Sequence, residues 1–122
     1  MHPQIGIVLF AHGSRDTRWR EPVEAVARQV AALAPTARVA CAYLELVAPD
    51  LATAAAALVA SGATMVKVVP LFLGMGKHVR EDLPQLLGTL RAQHPAVTFV
   101  LARAVGEEPE VIDLLARTAL KV

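Results

Sequence analysis

The segment Ile7–Asp16, IVLFAHGSRD, runs five apolar residues straight into a cluster of His, Gly, Ser and Arg. An unbroken apolar run reads as a strand buried on both faces, the kind that makes up parallel sheets covered by helices. A strand that ends in an imidazole poses a choice. Either an ordinary polar loop follows, or a sheet edge aims a histidine at a ligand.

The periodicity of the remaining chain bears on that choice. Three more apolar runs follow: RVACAYLE at 38–45, TMVKVVPLFL at 64–73 and VTFVLA at 97–102. With IGIVLFA at 5–11 they make four expected strands. Between them the spacing turns helical, with Trp19, Val23, Val26, Val30 and Leu33 on one stripe and Leu83, Leu86, Leu87 and Leu90 on another. Pro22 has no N–H, so the first helix either begins near Trp19 or has an irregular first turn, and Pro35 marks its exit. PDLATAAAALVASG, 49–62, reads as a helix with Asp50 as N-cap and Gly62 just past its end. Pro70 belongs at the end of the third strand. Pro109 opens a last helix whose Ile112, Leu115 and Ala119 are expected to face inward.

Strands joined by helical crossovers of this length are parallel, with right-handed connections. The expectation is one α/β domain over residues 1–122. Its sheet is open, doubly wound and flavodoxin-like, with four parallel strands in order 2-1-3-4 and helices on both faces.

Composition narrows the function classes. The 122 residues include 12 basic and 11 acidic side chains, a near balance that gives no reason to expect nucleic acid or a membrane surface as partner. Aromatic residues are only 4%, too few for a base-stacking surface. The single cysteine, Cys41, excludes an internal disulfide and any cluster held by several thiolates, and reads as a small buried hydrophobe. No segment reaches the ~20 apolar residues of a membrane span, and MHPQIG lacks the basic and apolar parts of a signal peptide. A cytoplasmic protein is expected.

In open parallel sheets, ligands bind beyond the carboxyl ends of the strands where the strand order reverses. Order 2-1-3-4 puts that place between strands 1 and 3. The loops there are HGSRD and GMGKHVRED, and each brings one histidine, His12 and His78. Gly13, Gly74 and Gly76 would allow close backbone approach or positive φ. Arg15, Arg18, Arg20, Lys77 and Arg80 gather nearby, as a carboxylate-bearing ligand would require, although a solvated loop face accounts for them equally. Two imidazoles suit Fe, Co, Ni or Zn better than Mg²⁺ or Ca²⁺. Two ligands alone would leave such a site open, unlike a structural zinc; two surface histidines are the other reading. Glu45, closing strand 2, could add a carboxylate but is expected to lie away from the crevice centre. His2 and His94 have no comparable placement.

HGSRD after strand 1, YLE closing strand 2 and PLFLGMGKHVREDLP after strand 3 together resemble the class II tetrapyrrole chelatases of the CbiX/SirB type, the sirohydrochlorin chelatases. The similarity runs in order through essentially the whole chain. HGSR alone is a weak signal; Pro-x-Phe-Leu-x-x-Gly-x-His followed by Asp-x-Pro is long and specific. The resemblance implies ATP-independent insertion of a divalent metal, Co²⁺, Fe²⁺ or Ni²⁺, into sirohydrochlorin for cobalamin or sirohaem synthesis, with no permanently bound cofactor. It implies that His12 is a metal-binding base and His78 its partner ligand. It also implies that Leu73, Gly74, Met75, Gly76 and Lys77 line the macrocycle, with Arg15, Arg80 and Glu45 as further substrate contacts. A chain of this length resembles half of the longer chelatases, so pairing into a homodimer is implied too.

A carrier that binds metal or tetrapyrrole without catalysis would use the same residues. Histidine phosphatases place Arg-His-Gly after their first strand, and here Ala11 stands where that arginine would be. A receiver module would want acidic residues after strand 1, and a flavodoxin a Ser/Thr-rich phosphate loop; HGSRD supplies neither.

Overall fold

Four parallel strands, β1 (Ile5–Ala11), β2 (Arg38–Tyr43), β3 (Met65–Pro70) and β4 (Thr98–Leu101), form the sheet in a computed structural model that describes residues 4–122. They lie in the order β2-β1-β3-β4, as the sequence predicts. His2 lies outside the described residues. Three strands, β2, β3 and β4, are shorter than their apolar runs. Past Pro70 the run Leu71–Leu73 leaves the ladder. The Leu71 amide still donates to the Phe10 carbonyl at 2.8 Å, and Phe72 turns its ring edge-on to Phe10, with centroids 6.1 Å apart. At Leu71 and Phe72 apolar character serves packing rather than strand pairing, while Leu73 is exposed.

A 3-10 turn, Thr17–Arg20, precedes α1 (Glu21–Leu33), with the Arg18 amide donating to Asp16 Oδ1 at 2.9 Å. This is the irregular first turn that Pro22 predicts. In α2 (Leu51–Ala60), Asp50 Oδ1 accepts from the Thr53 amide at 2.8 Å, and Gly62 takes φ 107 beyond the C-terminal end. Both ends stand where the sequence puts them. α3 (Lys77–Gln93) follows the loop after β3, and a second 3-10 turn, Val105–Glu107, leads into α4 (Pro109–Ala119).

The two faces of the sheet are unequally covered. On one, α2 and α3 bury Val8, Phe10, Ala42, Val66, Val68 and Phe99 beneath Leu51, Leu58, Leu83, Leu87 and Leu90. On the other, α1 covers β2 and β1 around a small cluster of Ala11, Val23 and Tyr43. Side chains alternate along a strand, so Met65, Lys67 and Val69 point to this second face, with Val100 of β4 beside them. Lys67 and Val100 are exposed there. Helices lie on both faces, as the sequence predicts, but the β3–β4 part of one face stays open at Lys67 and Val100.

Three stripe expectations are corrected. Within α1 only Val23 is buried, while Val26 and Leu33 are exposed, because α1 touches the sheet over two strands only. Leu83, Leu87 and Leu90 are buried in α3, but Leu86 is exposed. Ile112, Leu115 and Ala119 do not face inward: α4 has no buried residue and packs chiefly on the turn before it. Periodicity reveals an apolar face, not what covers it.

Candidate functional site

The carboxyl ends of β1 and β3 open onto a cavity of about 290 Å³. His12, Phe72, Gly74, Met75, Gly76, Lys77, His78 and Val79 line it. His12 comes from the loop after β1; the others come from the loop after β3 and the first turn of α3. The topology thus brings both histidines to one opening. The amino end of α3 also faces it, so its free N–H groups and the Lys77 ammonium bias the cavity toward anionic groups.

Glu45 stands beside His12, with Oε1 3.0 Å from Nε2 and both side chains about half exposed. The cause is local. β1 and β2 pair in register Ala11↔Tyr43, and the ladder continues two residues past the strand ends. The Leu44 amide donates to the Ala11 carbonyl at 2.9 Å and the Glu45 amide to the His12 carbonyl at 3.1 Å. Gly13 permits this approach: its φ is 105, and a Cβ there would fall 1.9 Å from the Glu45 carbonyl oxygen. Glu45 does not line the cavity, in keeping with its expected place away from the crevice centre, but its carboxylate reaches His12, which does. Neighbouring strands sit under 5 Å apart, so one step across the sheet removes nothing from reach.

Two donors each about 2.1 Å from one ion at a right angle are about 3 Å apart. The His12–Glu45 spacing fits an ion held between them, and fits a shared proton equally well. Among the described residues no three His, Cys, Asp or Glu side chains gather as a ready-made metal site. His78 shares the cavity with His12 instead of closing on the pair.

The five cations disperse. Lys77 lines the cavity. Arg80 is exposed on the first turn of α3, its amide bonded to the Gly76 carbonyl at 3.0 Å. Arg15 is exposed on the β1 loop, and Arg18 lines a separate open groove with Thr17, Glu21 and Pro22. Arg20 lies near enough to Tyr43 for its charge to act on the phenol, and its Nε is buried without a partner. Leu73 is exposed at the loop's outer edge. Cys41 is half-buried in the α1-side cluster rather than fully buried, and burial followed by the nearby Glu24 charge raises its thiol pKa, keeping it protonated and unreactive. His94 sits at the end of α3 against Phe99, away from the cavity.

Sequence reasoning did not single out Phe72 or Val79, which supply apolar wall. Phe72 stands in the Pro-x-Phe-Leu stretch after strand 3, and that is its available signal. Gly74 and Gly76 take no positive φ, and a Cβ at either would meet nothing within 4 Å. The protein itself does not need glycine there. A bare backbone wall suits a ligand that lies flat against it.

The CbiX family profile matches residues 6–121. The chain belongs to the CbiX family. A sirohydrochlorin cobaltochelatase from Sulfolobus acidocaldarius is 30% identical, over 96% of this chain and 91% of its own. A CbiX protein from Marinobacter aquaeolei VT8 superposes with a TM-score of 0.80 at 37% identity, covering 95% of this chain and 93% of that one. The chelatase SirB from Bacillus subtilis subspecies spizizenii, solved in complex with cobalt, also gives a TM-score of 0.80, at 25% identity. There the match covers 95% of this CbiX-family chain but 50% of SirB.

Proposed function

We propose that this chain is a sirohydrochlorin chelatase that inserts Co²⁺, Fe²⁺ or Ni²⁺ as its metal substrate, without ATP or a resident cofactor. One observation carries the reading: the His12–Glu45 pair at the mouth of a cavity that also holds His78 and a side-chain-free glycine wall. Family membership agrees with it, as do the names of the relatives.

Insertion exchanges one divalent ion for the two protons on the pyrrolic nitrogens. His12 serves either as a ligand that delivers the ion or as the base that takes a proton; each role needs a neutral ring nitrogen. Glu45, 3.0 Å away, offers a carboxylate to the ion or to the protonated ring. His78, which lines the same cavity, takes part in the delivery. A site with few, exposed ligands releases its ion readily to a macrocycle that offers four nitrogens. Gly74 and Gly76 admit the flat face of the ring, and Phe72, Met75 and Val79 contact it. Lys77 in the cavity lining meets its carboxylates, and the exposed Arg15 and Arg80, on the β1 loop and the first turn of α3, are further partners for them.

In this reading residues 1–122 form one chelatase lobe, cytoplasmic and paired with a second copy. A cavity of about 290 Å³ is at the low edge of the roughly 300–1,000 Å³ that pockets for drug-sized ligands provide, so one copy embraces only part of a tetrapyrrole. The unpartnered face of α4 and the bare β3–β4 surface offer apolar area for the pairing. No helix is long and apolar enough to cross a membrane among the described residues.

The test is direct. Sirohydrochlorin is mixed with Co²⁺ or Fe²⁺, and the absorption change is followed with and without protein. Acceleration over the uncatalysed rate is expected. Binding of metal or tetrapyrrole without acceleration would make the chain a carrier instead.

A further inference from the structure

We infer that Gly106, in the turn after β4 and outside the cavity, is a positioning residue that sets the path of the Leu73–Lys77 loop and so the fit of the macrocycle. The inference rests on the chelatase reading for its kinetic consequence. A Cβ at Gly106 would lie 1.9 Å from the Leu73 carbonyl oxygen, 2.3 Å from its Cα and 2.4 Å from its carbonyl carbon. These are backbone atoms, so no rotamer change relieves the clash. The Gly106 amide also donates to the Phe72 carbonyl at 2.9 Å. Gly106 has no positive φ, so its backbone would accept any residue. Contact with the loop alone demands glycine.

Which side would yield to a side chain follows from how each is held. The turn is pinned: Ala104 is fully buried, its amide donates to Glu107 Oε2 at 3.2 Å, and its carbonyl accepts from the Glu107 amide at 2.9 Å. Arg103 and Glu108 close the outside through two bonds, at 2.9 and 3.2 Å. The loop is looser. Leu73 and Gly74 are exposed, and the spaces beside Gly74 and Gly76 are empty. The loop therefore moves, and it carries the glycine wall and Lys77. His12 and Glu45 hang from β1 and β2 and stay in place.

Gly106→Ala is the test, with Gly88→Ala as control, since Gly88 sits on α3 with nothing within 4 Å of a new Cβ. For Gly106→Ala the KM for sirohydrochlorin should rise at least about tenfold, while kcat and Co²⁺ affinity stay near wild type. The control should leave KM unchanged. Unchanged KM in a folded Gly106→Ala variant overturns the inference. Should that variant not fold, Glu107→Ala loosens the turn without added bulk and must raise KM; no rise overturns it. If the wild-type chain shows no insertion, the chelatase reading fails separately, and backbone amide NMR shifts still decide about Gly106. Changes reaching from Leu73 to His78 support it, and changes confined to residues beside 106 and 73 overturn it.

Discussion

At the scale of single residues, the candidate site follows from strand register. Two strands that end together bring the residues just past their ends together, and here those are His12 and Glu45. His12→Ala and His78→Ala are each expected to remove most insertion activity, a loss of about 10²–10⁴ for a lost acid–base group, with unchanged circular dichroism. Full activity in either variant would take that residue out of the mechanism. Glu45→Gln keeps the shape and removes the charge; it should weaken Co²⁺ binding in calorimetry more than it weakens sirohydrochlorin binding. Gly13→Ala should both destabilise the fold and part the pair, because the left-handed φ and the Glu45 carbonyl each exclude a Cβ. Much of this was legible. The ends of the apolar runs named both histidines and the carboxylate. What they did not give was the extension of pairing past Tyr43, since no residue pattern marks where a ladder stops.

At the scale of elements, legibility tracked whether the signal was local. α2 is local: Asp50 and Gly62 bound it by side-chain bonding and by φ, and both stand in the sequence as read. The hydrogen bonds from Thr53 hold the Asp50 carboxyl below the usual carboxylate range. A folded-state pKa lowered in this way gives stability that is present above the unfolded pKa of about 4 and is lost as pH falls through the folded value. Asp50→Ala should therefore cost about 1 kcal/mol near pH 7. The gap to wild type should close as the pH drops below about 4. Urea denaturation across that range, followed through Trp19, checks both the size and the sign. The apolar stripes of α1 and α4 carry no such local marker. Their residues recur at helical spacing whether the face meets the sheet, a second chain or water, so the inward reading of Ile112 and Leu115 could not be checked from spacing alone.

At the scale of the whole molecule, one sheet face is finished and the other is not. α2 and α3 close a continuous core, whereas the opposite face is covered over β2 and β1 and left open over β3 and β4. The same chain that lacks a cover there has a helix without a bed, in which Ile112, Leu114 and Leu115 are 52%, 62% and 46% exposed. Apolar area of this kind is stabilising when withdrawn from water, by about 25 cal/mol per Å², and a second copy brings both missing pieces at once. A two-fold pair would also set two part-cavities into one assembly. The chain is therefore expected to sediment as a dimer at micromolar concentration. Leu115→Asp places a charge in the apolar contact and should weaken association at least about tenfold, since burying such a side chain is worth roughly 1.5–3 kcal/mol. Because α4 buries nothing within its own chain, the monomeric variant should keep its circular dichroism and melting behaviour, yet lose insertion activity in step with the dimer fraction. Sedimentation velocity and the insertion assay on the same samples test the link. A folded Leu115→Asp monomer with full activity would show that one lobe suffices and that the open face serves something other than the reaction.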